Sequence, residues 1–423
     1  MHYILKIFIF LFFLNCSKET IQKEFLIFQE PYNSNSLSIG SDNINQRLKK
    51  SPCENGMASI YPCKGYDFIS SITLDEFESK SGNDNWGWTD PETGIEYVIS
   101  GLNDGTAFVS IEDPENPIYL GKLPTSTFPS DYRDIKVYNS HAFIVSEAPD
   151  HGLQVFDLTR LRGLTEFQSF DADVTLQDFG NAHNIAINEE TGFAFVVGSN
   201  LYQGGPVFID VNEPKKPKIV GGFETASYTH DAQIIIYRGP DENYLGKELF
   251  FGSNTDGGVN NKIVILDVTD KKNPEWLQSI FYENGGYTHQ GYLTEDHRYF
   301  FLGDEKDEIN YGFPTSTRIF DLTDLSNPKL HLNYYASLSA IDHNGYIKGD
   351  QFFMASYTAG LRVLDISNIE EKQIEEIGFF DSYPFDNDTK FAGAWNVYPY
   401  FESGIIAIND IESGLILVKP SEN

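Results

Sequence analysis

The chain has 423 residues, 40% hydrophobic and 14% aromatic, with a formal net charge of −32. That length and apolar fraction are enough to build a large core. Such a negative charge repels phosphate backbones and excludes nucleic acid as a partner, and an aromatic load of 33 Phe and 24 Tyr suits strands packed face to face.

The first residues read as an export signal. Lys6 supplies a short basic region, and residues 7–14 form an apolar core too short to span a bilayer. That core runs directly into Asn15 and Cys16. An apolar core ending at Cys is the pattern of a bacterial lipoprotein signal, in which Cys16 is lipidated and becomes the first residue. Residues 1–16 are therefore expected to be the signal. The membrane would be a partner through lipid on Cys16, anchoring the protein to the outer membrane or cell surface of a bacterium. Asn15 departs from the small residue usual before such a Cys, and the alternative is a secretory signal with an incidental Cys. Residues 17–50, rich in Ser, Asn, Gln and Lys, lack apolar period and are expected to form a flexible tether.

The domain is expected to span residues 51–423. It opens with Cys53 and Cys63, which should pair in an oxidising compartment. A two-Cys metal site is the alternative, but nearby ligands are missing. From Asn85 onward one pattern recurs at intervals of roughly 50 residues. Units begin near Asn85, Arg133, His183, His230, His289, His343 and Trp395. The clearest element of each is an apolar run ending in Asp, as in Val155-Phe156-Asp157, Phe208-Ile209-Asp210, Ile265-Leu266-Asp267, Ile319-Phe320-Asp321 and Val363-Leu364-Asp365. Those Asp carboxylates are expected to accept backbone N–H bonds in the following turn. Pro-containing turns such as Asp113-Pro114-Glu115-Asn116-Pro117 separate third from fourth strands. Four short strands per unit predict an all-β fold, a seven-bladed β-propeller. The last unit lacks an outer strand, and a spare apolar segment, residues 66–74, precedes the first. It should pair with residues 415–418 and close the ring, removing the exposed edges.

Three stretches carry a family resemblance. The Cys loop reads Cys53-Glu54-Asn55-Gly56-Met57-Ala58-Ser59-Ile60-Tyr61-Pro62-Cys63. Asn85-Trp86-Gly87-Trp88-Thr89-Asp90-Pro91 follows, and then Gly101-Leu102-Asn103-Asp104-Gly105-Thr106. With the repeated apolar-Asp strands, these resemble the choice-of-anchor B family, whose blades carry LVIVD repeats. The resemblance covers nearly everything after the tether. It implies an exported bacterial propeller and no established reaction.

Chemistry is expected where the inner strands begin, at the mouth of the central channel. His183, His230, His289 and His343, four of nine histidines, share one register with Arg133 and Trp395. The next register position holds Trp86, Asp134, Asn184, Asp231, Gln290, Asn344 and Asn396. Imidazoles suit a divalent transition metal, whereas Arg133, Asp134, Asp231 and Trp395 would contact a small, anionic or sugar ligand. The alternative for the whole arc is a hydrogen-bonding girdle between blades. Loops expected to open on the same face carry Glu147, Asn200, Asn254, Asp256, Asp304, Glu305, Tyr357, Asn409 and Asp410. Residues 254–258 and 386–388 are fragments of calcium loops. Serine-hydrolase elbows, phosphate loops and a Cys nucleophile are absent. Two functions compete: a surface binding or scaffold module for an unknown surface protein, glycan or small ligand, and a metal-dependent enzyme using the four-His arc.

Overall fold

A computed structural model describes residues 48–258 and 260–422. The expected signal, most of the tether and Cys16 lie outside the described residues. The fold is a seven-bladed β-propeller, each blade built on four antiparallel strands. The third blade is representative. Its strands Asn184–Asn188, Phe193–Val197, Val207–Asp210 and Lys218–Gly222 pair in chain order from the axis outward.

Strands here are apolar on both faces because both faces are covered. Ile99, Phe108 and Leu120 of the first blade pack on Ile135, Ala142 and Phe156 of the second, and comparable layers fill the other seams. The core is thus a series of inter-blade layers rather than one centre. The Asp ending the third strands behaves as a turn former. Asp157, Asp210, Asp267, Asp321 and Asp365 each accept the backbone N–H two residues on, at 2.8 to 3.0 Å.

The ring closes through the N-terminal strand. Tyr66–Ile72 pairs antiparallel with Gly414–Pro420 as the outer strand of the last blade. It stops at Ile72, short of the expected Leu74, because Thr73 caps a short helix, Leu74–Phe77. There the Thr73 hydroxyl accepts Glu76 N–H while the Glu76 carboxylate accepts Thr73 N–H.

Cys53 and Cys63 form a disulfide. A loop of that size stabilises by about 3 kcal/mol, and the bond marks a non-reducing compartment. The loop also has a partner that sequence reasoning left open. Strand Tyr61–Lys64 adds to the outer edge of the sixth blade, pairing Cys63 with Phe380. The next strand goes to the seventh blade, so one short segment staples two blades. Tyr61, Phe68 and Phe380 pack together at that junction.

Candidate functional site

Two successive residues of the inner strands reach the channel axis, although strict strand alternation would allow only one. In four of the blades irregular register at the strand entry allows this. Bulges fall between Gly82 and Asn85, Thr229 and Asp231, Thr288 and Gly291, and Ala394 and Asn396.

The upper residues form an aromatic crown. Ring centroids are 4.0 Å apart for His183 and His230, 4.1 Å for His230 and His289, and 4.2 Å for His289 and His343. Trp395 lies 4.9 Å beyond His343, and Tyr132 joins Trp395 at 5.8 Å to His183 at 5.9 Å. Arg133 shares the histidines' register and lines the same cavity, but its guanidinium is tied to the blade seam. Its Nε donates to the Leu102 carbonyl at 3.1 Å and its Nη1 meets His151 Nε2 at 3.0 Å.

Hydrogen bonds fix the imidazole tautomers. His230 Nδ1 donates to the His289 carbonyl at 3.1 Å, and His343 Nδ1 donates to the Trp395 carbonyl. A carbonyl only accepts, so in the neutral ring the proton is on Nδ1 and the lone pair on Nε2. His289 Nδ1 has no partner although the residue is 1% exposed. Glu305 Oε1 lies 3.7 Å from Nε2 of both His289 and His343, and accepts the Tyr357 hydroxyl at 2.9 Å. Ligand atoms of His289, His343 and Glu305 all fall within 4.8 Å of one another.

Burial keeps three of these imidazoles neutral, each with a ring lone pair free of a proton. Burial, reinforced by neighbouring imidazoles, holds His230 and His289 well below the usual histidine range, and burial takes His343 to about 3. Burial also raises Glu305 to about 7. His183 differs. Burial alone would lower it, but the hydrogen bond and charge of Glu147, 2.7 Å away, raise it. The crown encloses about 20 Å³ open to the centre of a water-sized sphere, room for an ion or one water.

Beneath the crown the lower residues form a polar girdle. Asp84 Oδ2 accepts Ile135 N–H at 3.0 Å, and Asp134 Oδ2 accepts Ile185 N–H at 2.7 Å. Asn184 donates to Asp231 at 2.8 Å, Gln290 accepts Gly345 N–H at 3.0 Å, Asn344 donates to Asn396, and Asn396 donates to Asp84. Each bond ties one blade to another. The register assigned to Trp86 is therefore corrected: Asp84 joins the girdle, and Trp86 lies one layer lower, lining a chamber of about 80 Å³ with Lys136, Gln233, Tyr292 and Tyr346.

Of the residues expected to touch a ligand, Trp395 is in the crown, half-buried. Asp134 and Asp231 are buried in the girdle, and Arg133 is held at the seam between the first two blades. Among the loop residues, Glu147, Glu305 and Tyr357 face the crown. Asn200, Asn254, Asp304, Asn409 and Asp410 instead bond within their own turns and seams. The calcium-loop fragments are also satisfied internally. Asp256 accepts the N–H of Gly258 and of Asn260, and Asp386 accepts Asp388 N–H and pairs with Lys390. Sequence reasoning missed Tyr132, Asp84 and Lys136. An aromatic directly before Arg133 was the available signal for the first.

No family model matches the chain, and no curated protein matches it. Solved structures show the fold. One is the β-propeller domain of Cps50 (Swd1) from Myceliophteria thermophila, 12% identical with TM-score 0.53, covering 84% of this chain and 98% of that one. Another is a putative 6-phosphogluconolactonase from Bacteroides uniformis, 13% identical with TM-score 0.52, covering 69% of this chain and 84% of its own. At such identities the likeness is one of architecture alone.

Proposed function

We propose that this protein is an exported binding module of the choice-of-anchor B type that holds a divalent transition metal at its channel mouth. One observation carries the reading: Glu305 Oε1 lies 3.7 Å from each of two imidazole Nε2 atoms within a buried crown, and a ligand atom from each of the three residues falls within 4.8 Å of the others. His343 shows the outer hydrogen bond typical of a metal ligand, with Nδ1–H on a backbone carbonyl. His289, His343 and Glu305 would be the ligands, with His230 and His183 flanking them. Positions left open would face the mouth, where Trp395 and Tyr132 supply stacking surface for a ligand. An enzymatic reading uses the same ligands. It draws on Glu147, a partly exposed carboxylate beside His183 and suited to a base.

Element analysis of protein purified without a His tag tests the metal. About one transition-metal ion per chain is expected, lost in a His289→Ala/His343→Ala variant whose circular dichroism is unchanged. Protein that carries no metal after refolding with zinc, iron, copper or nickel would sink the reading and leave the crown as a structural girdle.

Anchoring has its own test. Cys16→Ser should move the protein from the membrane fraction to the soluble one without changing its melting temperature. A variant that stays fully membrane-bound would rule out lipidation at Cys16.

A further inference from the structure

Beside the crown, between the fifth and sixth blades, three carboxylates are buried together. Asp307 and Glu308 lie in the connection between strands Tyr299–Asp304 and Ser316–Asp321. Asp342 directly precedes His343. Their exposures are 0%, 3% and 2%, and one oxygen from each lies within 4.8 Å of the others. Gly303 leaves room for this approach, because a Cβ there would collide with Asp342 Oδ2.

Internal partners cover only part of this charge. Arg318 Nη1 pairs with Asp307 Oδ2 at 2.9 Å, and Ser316 donates to the same oxygen at 2.6 Å. Asp304 nearby is occupied by its own turn, accepting the Tyr282 hydroxyl and the N–H of Gly286 and of Tyr287. Among the described residues, Asp307 Oδ1, Asp342 Oδ1 and both oxygens of Glu308 meet no N–H or hydroxyl donor in hydrogen-bond geometry. Three buried carboxylates therefore face one guanidinium. Burying an unpaired carboxylate is costly, and a bound cation removes that cost.

We propose that Asp307, Glu308 and Asp342 form a calcium site joining the fifth and sixth blades. An all-oxygen donor set selects a hard cation over a transition metal. Calcium takes about six to eight oxygens in flexible geometry and so suits three carboxylates on two different segments better than magnesium, which demands a near-ideal octahedron and keeps several of its waters. The position also has a consequence. The loop carrying Asp307 carries Glu305, and the segment carrying Asp342 carries His343. A cation there would hold these two crown residues in register, whether or not the crown itself binds metal.

The test is calcium titration of the full chain after chelator treatment, followed by thermal unfolding and terbium luminescence, with magnesium at equal ionic strength as the control for the acidic surface. Millimolar calcium should raise the melting temperature by about 5 °C or more, magnesium much less. Glu308→Gln and Asp342→Asn, each nearly isosteric, should weaken calcium binding at least tenfold and abolish the shift. Asp256→Asn, in an exposed loop, should leave it intact. No calcium-specific shift in the unaltered protein overturns the site even if the variants fail to fold. A shift that persists in folded Glu308→Gln overturns it as well.

Discussion

A chain lacking residues 66–72 is expected to lose cooperative folding altogether. The closing strand completes the backbone ladder of the last blade, and it packs in both directions. Phe68 lies among Tyr61, Phe353 and Phe380 on the side of the sixth blade. Ile69 and Ile72 lie among Val98, Leu102 and Ala107 on the side of the first. Burial of each large side chain is worth about 1.5–3 kcal/mol, so these three alone approach the 5–15 kcal/mol that keeps a typical domain folded. The deletion also exposes the edge of Gly414–Pro420, inviting aggregation. A milder variant, Phe68→Ala, should cost about 3–5 kcal/mol by urea denaturation while remaining monomeric. A deletion variant that unfolds cooperatively within a few degrees of the full chain would show that closure contributes little.

The repeat was legible because its signals are local. Apolar-Asp strands, Pro turns and the missing last strand all lie within short windows, and together they define the ring and its closure. The crown was partly legible. His183, His230, His289 and His343 share an offset from the same apolar run, whereas Arg133, equally well placed by offset, turned toward the Leu102 carbonyl. The first blade was misaligned because Asn83, Asp84 and Asn85 are three consecutive polar residues spanning a bulge. The cross-blade bonds that Asp84 accepts, from Ile135 N–H and from Asn396, decide which one faces the axis. The Cys loop's attachment to the sixth blade was hidden for a related reason: its partner Phe380 lies far away in sequence. The Asp307, Glu308 and Asp342 cluster was likewise invisible among 62 acidic residues, since only folding brings those three carboxylates together.

Replacing Lys136 with Met is expected to destabilise the protein by about 3–5 kcal/mol at pH 8. Lys136 Nζ lies 2.8 Å from Asp134 Oδ1, 3.7 Å from Asp84 Oδ2 and 4.6 Å over the Trp86 ring. Those two carboxylates accept the N–H of Ile135 and of Ile185, so one cation neutralises the bonds that tie the first three blades together. Burial pushes Asp84 well above the usual carboxylate range. Burial would also raise Asp134, but Lys136 and the hydrogen bonds to Asp84 and Ile185 outweigh it and hold Asp134 low. Methionine fills the space without the charge, leaving two buried carboxylates facing each other. Both folded-state pKa values should then exceed the unfolded value of about 3.9. For an acid with a raised folded pKa, the penalty is absent below the unfolded value, grows as pH rises from there to the folded value, and is complete above it. The melting temperature of Lys136→Met should therefore climb toward that of the unaltered protein between pH 8 and pH 5. Adding Asp84→Asn and Asp134→Asn should recover most of the loss at pH 8, because a neutral amide girdle needs no cation. A variant within about 1 kcal/mol of the parent at pH 8, or one whose deficit does not shrink on acidification, would show that Lys136 is not what neutralises the girdle.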